Sequence, residues 1–239
     1  MLFFYIRHGD PTYVPDALTE RGKRQAEALA KRLAQFGLDR IYASTSTRAM
    51  ETAMPTCELL NLKPTPLDWC REDLAWEEFI IRRKEDGRKQ WGFQSPELCR
   101  LFNREEVRAL GNKWYEHEAF REGRFGEGME RIGREADAFF AELGYVHLPQ
   151  EGGYRIDRPN EERVALFAHQ GFGFAFLSHV LDIPYPLFCT HFDMGHTGMT
   201  VIQFADQGGI SIPRVLQLSN DSHLWREGLP THYHNAIRF

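Results

Sequence analysis

Apolar and polar positions along this chain follow two alternating rhythms. Residues 2–6 (Leu-Phe-Phe-Tyr-Ile) form an unbroken apolar run, and residues 163–168 repeat the design. Such runs read as strands buried on both faces of a parallel sheet. A shorter run covers 40–44, and a further extended segment is expected over 67–71. Between these runs the period changes. Ala26, Leu29, Ala30 and Leu33 recur at helical spacing within 19–36, with Thr19 as the cap and Gly37 as the stop. A second helix is expected over 46–60, kinked at Pro55, and a third over 172–181 in which Phe172, Phe174 and Phe176 serve packing. The late stretches 199–205 and 215–218 alternate like strands and finish the sheet, one of them antiparallel. The expected fold is α/β: three layers, α/β/α, around a mostly parallel sheet with one antiparallel strand.

The middle of the chain breaks the rhythm. Residues 76–159 read as a polar, mostly helical insertion within a single domain of residues 1–239. Ser95-Pro96-Glu97 is a helix start, with a cap and a Pro in the first turn. Residues 129–143 are amphipathic, with Ile132, Ala136, Phe139 and Phe140 on one face. This insertion is expected to cap the carboxyl edge of the sheet, shape substrate choice and exclude water. Arg82, Arg83, Lys84, Arg88 and Lys89 form a basic cluster that reads first as a solvated face.

Composition narrows the classes. A chain of 239 residues with 42% hydrophobic residues supports a sizeable core and argues against disorder. A formal net charge of -5 argues against nonspecific nucleic-acid binding as the main task. Cys57, Cys70, Cys99 and Cys189 show no Cys-x-x-Cys spacing, so they read as free thiols of a reducing cytoplasm rather than zinc ligands. The apolar opening is too short for a signal peptide and lacks a basic leader, and no run reaches transmembrane length. No membrane partner is expected.

The chemistry concentrates at strand ends. Arg7-His8-Gly9 follows the first apolar run, where ligands of open α/β sheets bind. A His there is placed to react, and the adjacent guanidinium to hold an oxyanion. Alone, the tripeptide could be an ordinary turn. Ser46 or Thr47 can cap the second helix, which places Arg48 beside the free N–H groups of its first turn; the plain alternative is a solvated Arg. Ala168-His169-Gln170-Gly171 ends the second long apolar run as Arg7-His8-Gly9 ends the first. Two strands that each deliver a His to one edge are hard to assign to packing alone. Among aromatics, Glu72, Asp73, Glu77 and Glu78 offer a carboxylate whose pKa desolvation could raise. The acidic start of a helix is the plain reading of that segment. His191, His196, His232 and His234 match no common helical pair of metal ligands, and surface or supporting roles are expected for them.

Arg7-His8-Gly9, 18–26 (Leu-Thr-Glu-Arg-Gly-Lys-Arg-Gln-Ala), 44–53, Glu72 and Ala168-His169-Gln170-Gly171 stand in an order that resembles the histidine phosphatase superfamily, the phosphoglycerate-mutase-like group, in its phosphatase branch. The resemblance covers the first and last thirds of the chain. It implies that His8 is the nucleophile that becomes phosphohistidine, and that Arg7 and Arg48 clamp the phosphoryl oxygens. It implies that His169 donates a hydrogen bond to the same group, and that Glu72 is the general acid. Asp73, Glu77 and Glu78 remain alternatives for that last role. Gln170 replaces a Gly usual after the second His and is grouped with the phosphate-binding residues. No metal and no cofactor are implied, because two Arg and a His can supply the positive charge. Val14 stands where mutases of the family place an Asn that touches phosphate, which favours a phosphatase. The expected activity is metal-independent hydrolysis of a small phosphomonoester. A mutase-type phosphotransferase and a non-catalytic phospholigand-binding protein are the alternatives. Substrate identity and oligomeric state stay open.

Overall fold

A computed structural model describes residues 1–231. The opening run forms β1 (Leu2–Arg7), followed by a tight ribbon of β2 (Pro11–Tyr13) and β3 (Asp16–Leu18). α1 (Glu20–Phe36) begins where the Thr19 side chain accepts from the Gly22 N–H, and ends at Gly37, which takes the positive φ of 72°. β4 (Arg40–Ser44), α2 (Thr47–Leu60) and β5 (Thr65–Leu67) follow. Then come α3 (Glu72–Phe79), a hairpin of β6 (Ile80–Arg82) and β7 (Lys89–Trp91), α4 (Pro96–Phe102), α5 (Glu105–Arg108), α6 (Phe125–Glu142), β8 (Tyr145–His147) and β9 (Tyr154–Ile156). The chain returns to the main sheet with β10 (Arg163–Ala168) and α7 (Gln170–Val180). It closes with α8 (Tyr185–His191), β11 (Met199–Gln203), β12 (Ile210–Ser211), β13 (Arg214–Asn220) and α9 (Ser222–Arg226).

The main sheet has six strands in the order β13-β11-β1-β10-β4-β5, and β11 alone runs against the rest. Its two central strands are apolar over residues 2–6 and 164–168 because helices cover both faces. Phe3 and Tyr5 of β1 join Val164 and Leu166 of β10 in one core, with Ile132, Phe140, Phe172 and Phe176 of α6 and α7. Phe4 and Ile6 join Ala165 and Phe167 in the other, with Leu29 and Leu33 of α1 and Ala53 of α2. Adjacent residues thus feed opposite cores, as the period of two requires. This is the expected three-layer α/β/α arrangement. Each buried Phe contributes about 1.5–3 kcal/mol by removal from water. α7 is buried along nearly its whole length, which explains why its sequence is apolar all round.

The structure departs from expectation in three places. Residues 76–144, expected to be helical, contain the β6–β7 hairpin. Its charged turn hid strands of only three residues each. The extended segment expected over 67–71 stops at Leu67, and a 3-10 turn takes over at Asp68–Cys70. β8 and β9 also escaped detection, and with β12 they make a separate three-stranded sheet. Other expectations match. Ser95 caps α4 by accepting from the Leu98 N–H at 3.2 Å, and the amphipathic helix over 129–143 lies within α6. The basic cluster is mostly exposed, and Arg83 and Arg88 pair with Glu85 and Asp86. Aromatics of the middle segment extend the first core, where Trp114 stacks on Tyr185 of α8 at 5.3 Å and meets Phe102 edge-on at 5.3 Å. Among the described residues no helix is long and apolar enough to cross a membrane.

Candidate active site

Register places the two strand-end histidines together. β1 and β10 are parallel neighbours with Arg7 opposite Ala168. The residues that follow, His8 and His169, therefore leave the sheet side by side. The His8 N–H donates to the Ala168 carbonyl at 3.0 Å, and the two imidazoles lie 5.2 Å apart.

The backbone around His8 is tightly held. Gly9 donates its N–H to Thr52 Oγ1 at 3.0 Å, and Asp10 donates its own to Gln25 Oε1 at 2.8 Å. The loop packs so closely on α1 that a Cβ on Gly22 would lie 2.2 Å from the Asp10 carbonyl oxygen, so only Gly fits there. His8 Nδ1 lies 2.7 Å from the Gly9 carbonyl oxygen. A carbonyl only accepts, so Nδ1 carries the proton and Nε2 keeps its lone pair. Burial pushes the His8 pKa well below its ordinary value, helped by His169, Arg7 and Arg48. The ring is therefore neutral at neutral pH.

His169 is fully buried. Its Nε2 lies 2.8 Å from Ser44 Oγ at the end of β4, and Nδ1 has no partner among the described residues. Burial, then Arg48 and Arg7, push its pKa well down. Arg7 donates to the Met194 carbonyl and approaches His196 Nε2 at 3.1 Å. Arg48, in the first turn of α2, is held by Asp16 at 2.6 Å, and Tyr13 lies against its guanidinium at 5.4 Å. The expected side-chain cap of α2 is absent: Ser46 makes no cap bond, and Asp16 accepts from the Thr47 N–H instead. Arg48 Nε is buried without a partner among the described residues. Buried donors left open beside two guanidiniums make a site for a multiply charged oxyanion.

The four carboxylates left open by the sequence separate cleanly. Glu72 accepts from the Gly171 and Phe172 N–H groups at 2.9 and 2.8 Å, at the start of α7. Asp73 is exposed and pairs with Arg71, and Glu77 is exposed and pairs with Lys89. Glu78 is tied in a two-point ion pair to Arg131 at 2.6 and 2.7 Å. Burial raises the Glu72 pKa despite those two N–H bonds and the nearby Arg48 and Arg7. Burial thus works against the charged form of a carboxyl that sits at the start of α7, just past His169, within the field of both guanidiniums.

Gln170 follows His169 in the chain, and its side-chain amide turns to donate to Asp193. Both residues line a cavity of about 510 Å³ walled by Phe93, Phe174, His191 and Phe192. Sequence reasoning gave His196 no chemistry, yet its ring lies 5.8 Å from His8, with Nδ1 3.5 Å from Asp10. Ser44, Thr52 and Asp16 were also missed as supports. Their signal was present, since Ser44 and Thr52 lie inside the motif around Arg48, but only the fold shows what they hold. His191 is exposed and meets Asn103 at 3.0 Å. His223, in α9, meets Thr197 Oγ1 at 3.0 Å. His232 and His234 lie outside the described residues.

Fold and site together define a phosphohydrolase-like α/β protein with a cationic, histidine-lined cup. The sequence profile described as "Histidine phosphatase superfamily (branch 1)" matches residues 4–214, and the chain belongs to that family. Similar solved structures share the fold. "Mycobacterial hydrolase 1" is 20% identical with a TM-score of 0.58, over 92% of this chain and 98% of that one. A mutant phosphoserine phosphatase of Entamoeba histolytica, in complex with phosphoserine, is 14% identical with a TM-score of 0.58, over 93% and 98%. A mycobacterial glucosyl-3-phosphoglycerate phosphatase in complex with VO3 is 20% identical with a TM-score of 0.58, over 91% and 98%. A curated relative, the mitochondrial serine/threonine-protein phosphatase Pgam5 of Drosophila erecta, is 46% identical over 55 residues, which is 20% of this chain and 19% of that protein.

Proposed function

We propose that this chain hydrolyses small phosphomonoesters through a phosphohistidine on His8. The observation that carries the reading is the His8 ring: Nδ1–H is tied to the Gly9 carbonyl, which leaves the Nε2 lone pair free in a cup shared with Arg7, Arg48, His169 and Glu72. Phosphoryl transfer needs positioning and charge stabilisation more than covalent help.

In the first step His8 Nε2 attacks phosphorus as the ester P–O bond breaks. Arg7 and Arg48 hold the equatorial oxygens. With the Ser44 hydroxyl donating to His169 Nε2, His169 carries its proton on Nδ1 and donates a hydrogen bond from it to a phosphoryl oxygen. Protonated Glu72 gives its proton to the leaving oxygen. In the second step the Glu72 carboxylate takes a proton from water, whose oxygen attacks phosphorus. The P–N bond breaks, phosphate leaves, and both residues return to their starting states. Arg7 and Arg48 supply the positive charge and His169 a neutral hydrogen-bond donor, so no step calls for a metal.

The cavity walled by Gln170, Asp193 and three phenylalanines receives the leaving group. Its size suits a small organic molecule. Gln170, next in the chain to His169, lines that cavity, from which it can steer the leaving group. The structural neighbours support phosphorylated metabolites as substrates, since phosphoserine and glucosyl-3-phosphoglycerate appear in their names. The short Pgam5 match brings a phosphopeptide into the panel as well. Four free thiols support a reducing compartment, the cytoplasm.

Turnover of para-nitrophenyl phosphate by wild type and His8→Ala tests the reading, and undiminished turnover in the variant would remove it. Product analysis with phosphoglycerate distinguishes a mutase, which yields isomer and little free phosphate.

A further inference from the structure

α7 carries a second histidine-centred cluster at its other end. His179 lies in its last turn, ten residues and about 15 Å along the helix from His169. Asp137 of α6 and His147 of β8 meet it there. Asp137 Oδ1 is 2.7 Å from His179 Nε2 and 2.9 Å from His147 Nδ1. The three candidate donor atoms all lie within 4.8 Å of one another. We propose that Asp137, His147 and His179 form a zinc-binding site, distinct from the phosphate cup.

Several features mark it as built. On its far side, His147 Nε2 meets Asp182 Oδ2 at 3.2 Å. A carboxylate behind a histidine fixes the ring and the tautomer, and ligating histidines commonly have such a partner. The His147 side chain is almost fully buried and stacks on Tyr154 at 4.7 Å and 19°. His179 is seated against Gly133 of α6, where a Cβ would lie 2.8 Å from its Cε1. Any larger residue there would push the ring off Asp137. All three donors face one cavity of about 450 Å³, lined also by Met129, Gly133 and Asp182, which offers an entry path and a water for a fourth position.

Two imidazole nitrogens and one carboxylate oxygen are the donor set zinc prefers, while calcium and magnesium would ask for oxygens. Donors around a tetrahedral zinc stand about 3.3 Å apart, so the two Asp137 distances lengthen by roughly half an ångström while the two ring nitrogens, within 4.8 Å of each other, settle to the same spacing. On binding, the His147 Nδ1 proton and the His179 Nε2 proton, both directed at Asp137 Oδ1, leave to water, while His147 keeps its Nε2 proton and donates it as a hydrogen bond to Asp182. This site departs from the sequence expectation of no metal. Its three ligands lie ten and thirty-two residues apart on three elements, a spacing that matches no local motif.

The test uses the full chain, stripped with a chelator and dialysed against zinc, with bound metal counted by mass spectrometry and affinity measured against a chromophoric chelator. Wild type takes up one zinc per chain, and His8→Ala does the same, which separates this site from the cup. His179→Ala lowers the affinity at least about 100-fold. Asp182→Asn, which keeps every ligand, lowers it about 10–100-fold. Cobalt(II) in the wild type gives the visible bands of four-coordinate nitrogen and oxygen ligation, and these vanish in His179→Ala. If His179→Ala does not fold, Asp182→Asn and Gly133→Ala carry the comparison. No zinc uptake by wild type overturns the proposal, as does equal affinity in wild type and the folded variants.

Discussion

The two ends of α7 hold the same side chain in opposite electrical surroundings. At its start, His8 and His169 are buried beside Arg7 and Arg48, and both are pushed well below the ordinary imidazole pKa. At its end, burial also acts against the charged form of His147. There the hydrogen bonds to Asp137 and Asp182 outweigh burial and raise its pKa to about 9. Asp137 mirrors this: its own burial is outweighed by His147 and His179, and its pKa falls to about 2. Burial by itself does not decide what a histidine does. The sign of the neighbouring charge decides whether the ring is a neutral nucleophile or donor, or a cation that carboxylates hold until a metal replaces its proton.

This contrast can be broken most severely at the nucleophile. His8→Ala removes the ring whose free Nε2 is placed for attack, and kcat is expected to fall at least about 10⁴-fold. Arg48→Ala takes one cation from the same end. Its expected cost is about 10²–10³ in kcat, or about 3–4 kcal/mol of barrier, measured with the same ester. Glu72→Gln separates proton transfer from charge. It should slow an alkyl phosphomonoester by about 10²–10⁴ and para-nitrophenyl phosphate much less, because nitrophenolate leaves without a proton. The pH profile of kcat/KM follows from the same shifts. The depressed His8 pKa keeps the nucleophile neutral as pH falls well below 6.5, and the raised Glu72 pKa keeps the acid protonated above 4.5. The optimum therefore lies on the acid side of neutrality, and Glu72→Gln erases the basic limb with alkyl substrates. The smallest kinetic effect belongs to the far end. In chelator-treated protein, His147→Gln should leave kcat within about threefold while lowering stability by about 1–3 kcal/mol in denaturant titrations. Loss of kcat as large as that of Arg48→Ala would mean the two ends are one site.

Legibility in the sequence followed the same divide. β1, α1, β4 and β10 were readable because each has a single period over five or more residues, and the strand-end motifs Arg7-His8 and Ala168-His169 come with them. The order of those motifs could not select among four acidic residues. Glu72 is singled out by the α7 N–H groups it accepts, 99 and 100 residues away in the chain. The β6–β7 hairpin was invisible because three-residue strands carry too little alternation to outweigh a charged turn. The aromatic core of Phe102, Trp114, Phe120 and Phe125 escaped for a related reason. Its side chains come from a short helix, two 3-10 turns and the first residue of α6, with no shared period. The cluster at the end of α7 depends wholly on tertiary pairing between α6, β8 and α7, which no local pattern encodes.

The central claim is that His8 bonds to phosphorus during turnover. Rapid acid-free quenching of the enzyme with ³²P-labelled substrate, followed by peptide mapping at alkaline pH where phosphohistidine survives, tests it directly. The account predicts label on the peptide containing His8, lost when turnover is allowed to finish and absent in His8→Ala. Full hydrolysis with no label on that peptide under single-turnover conditions would contradict it.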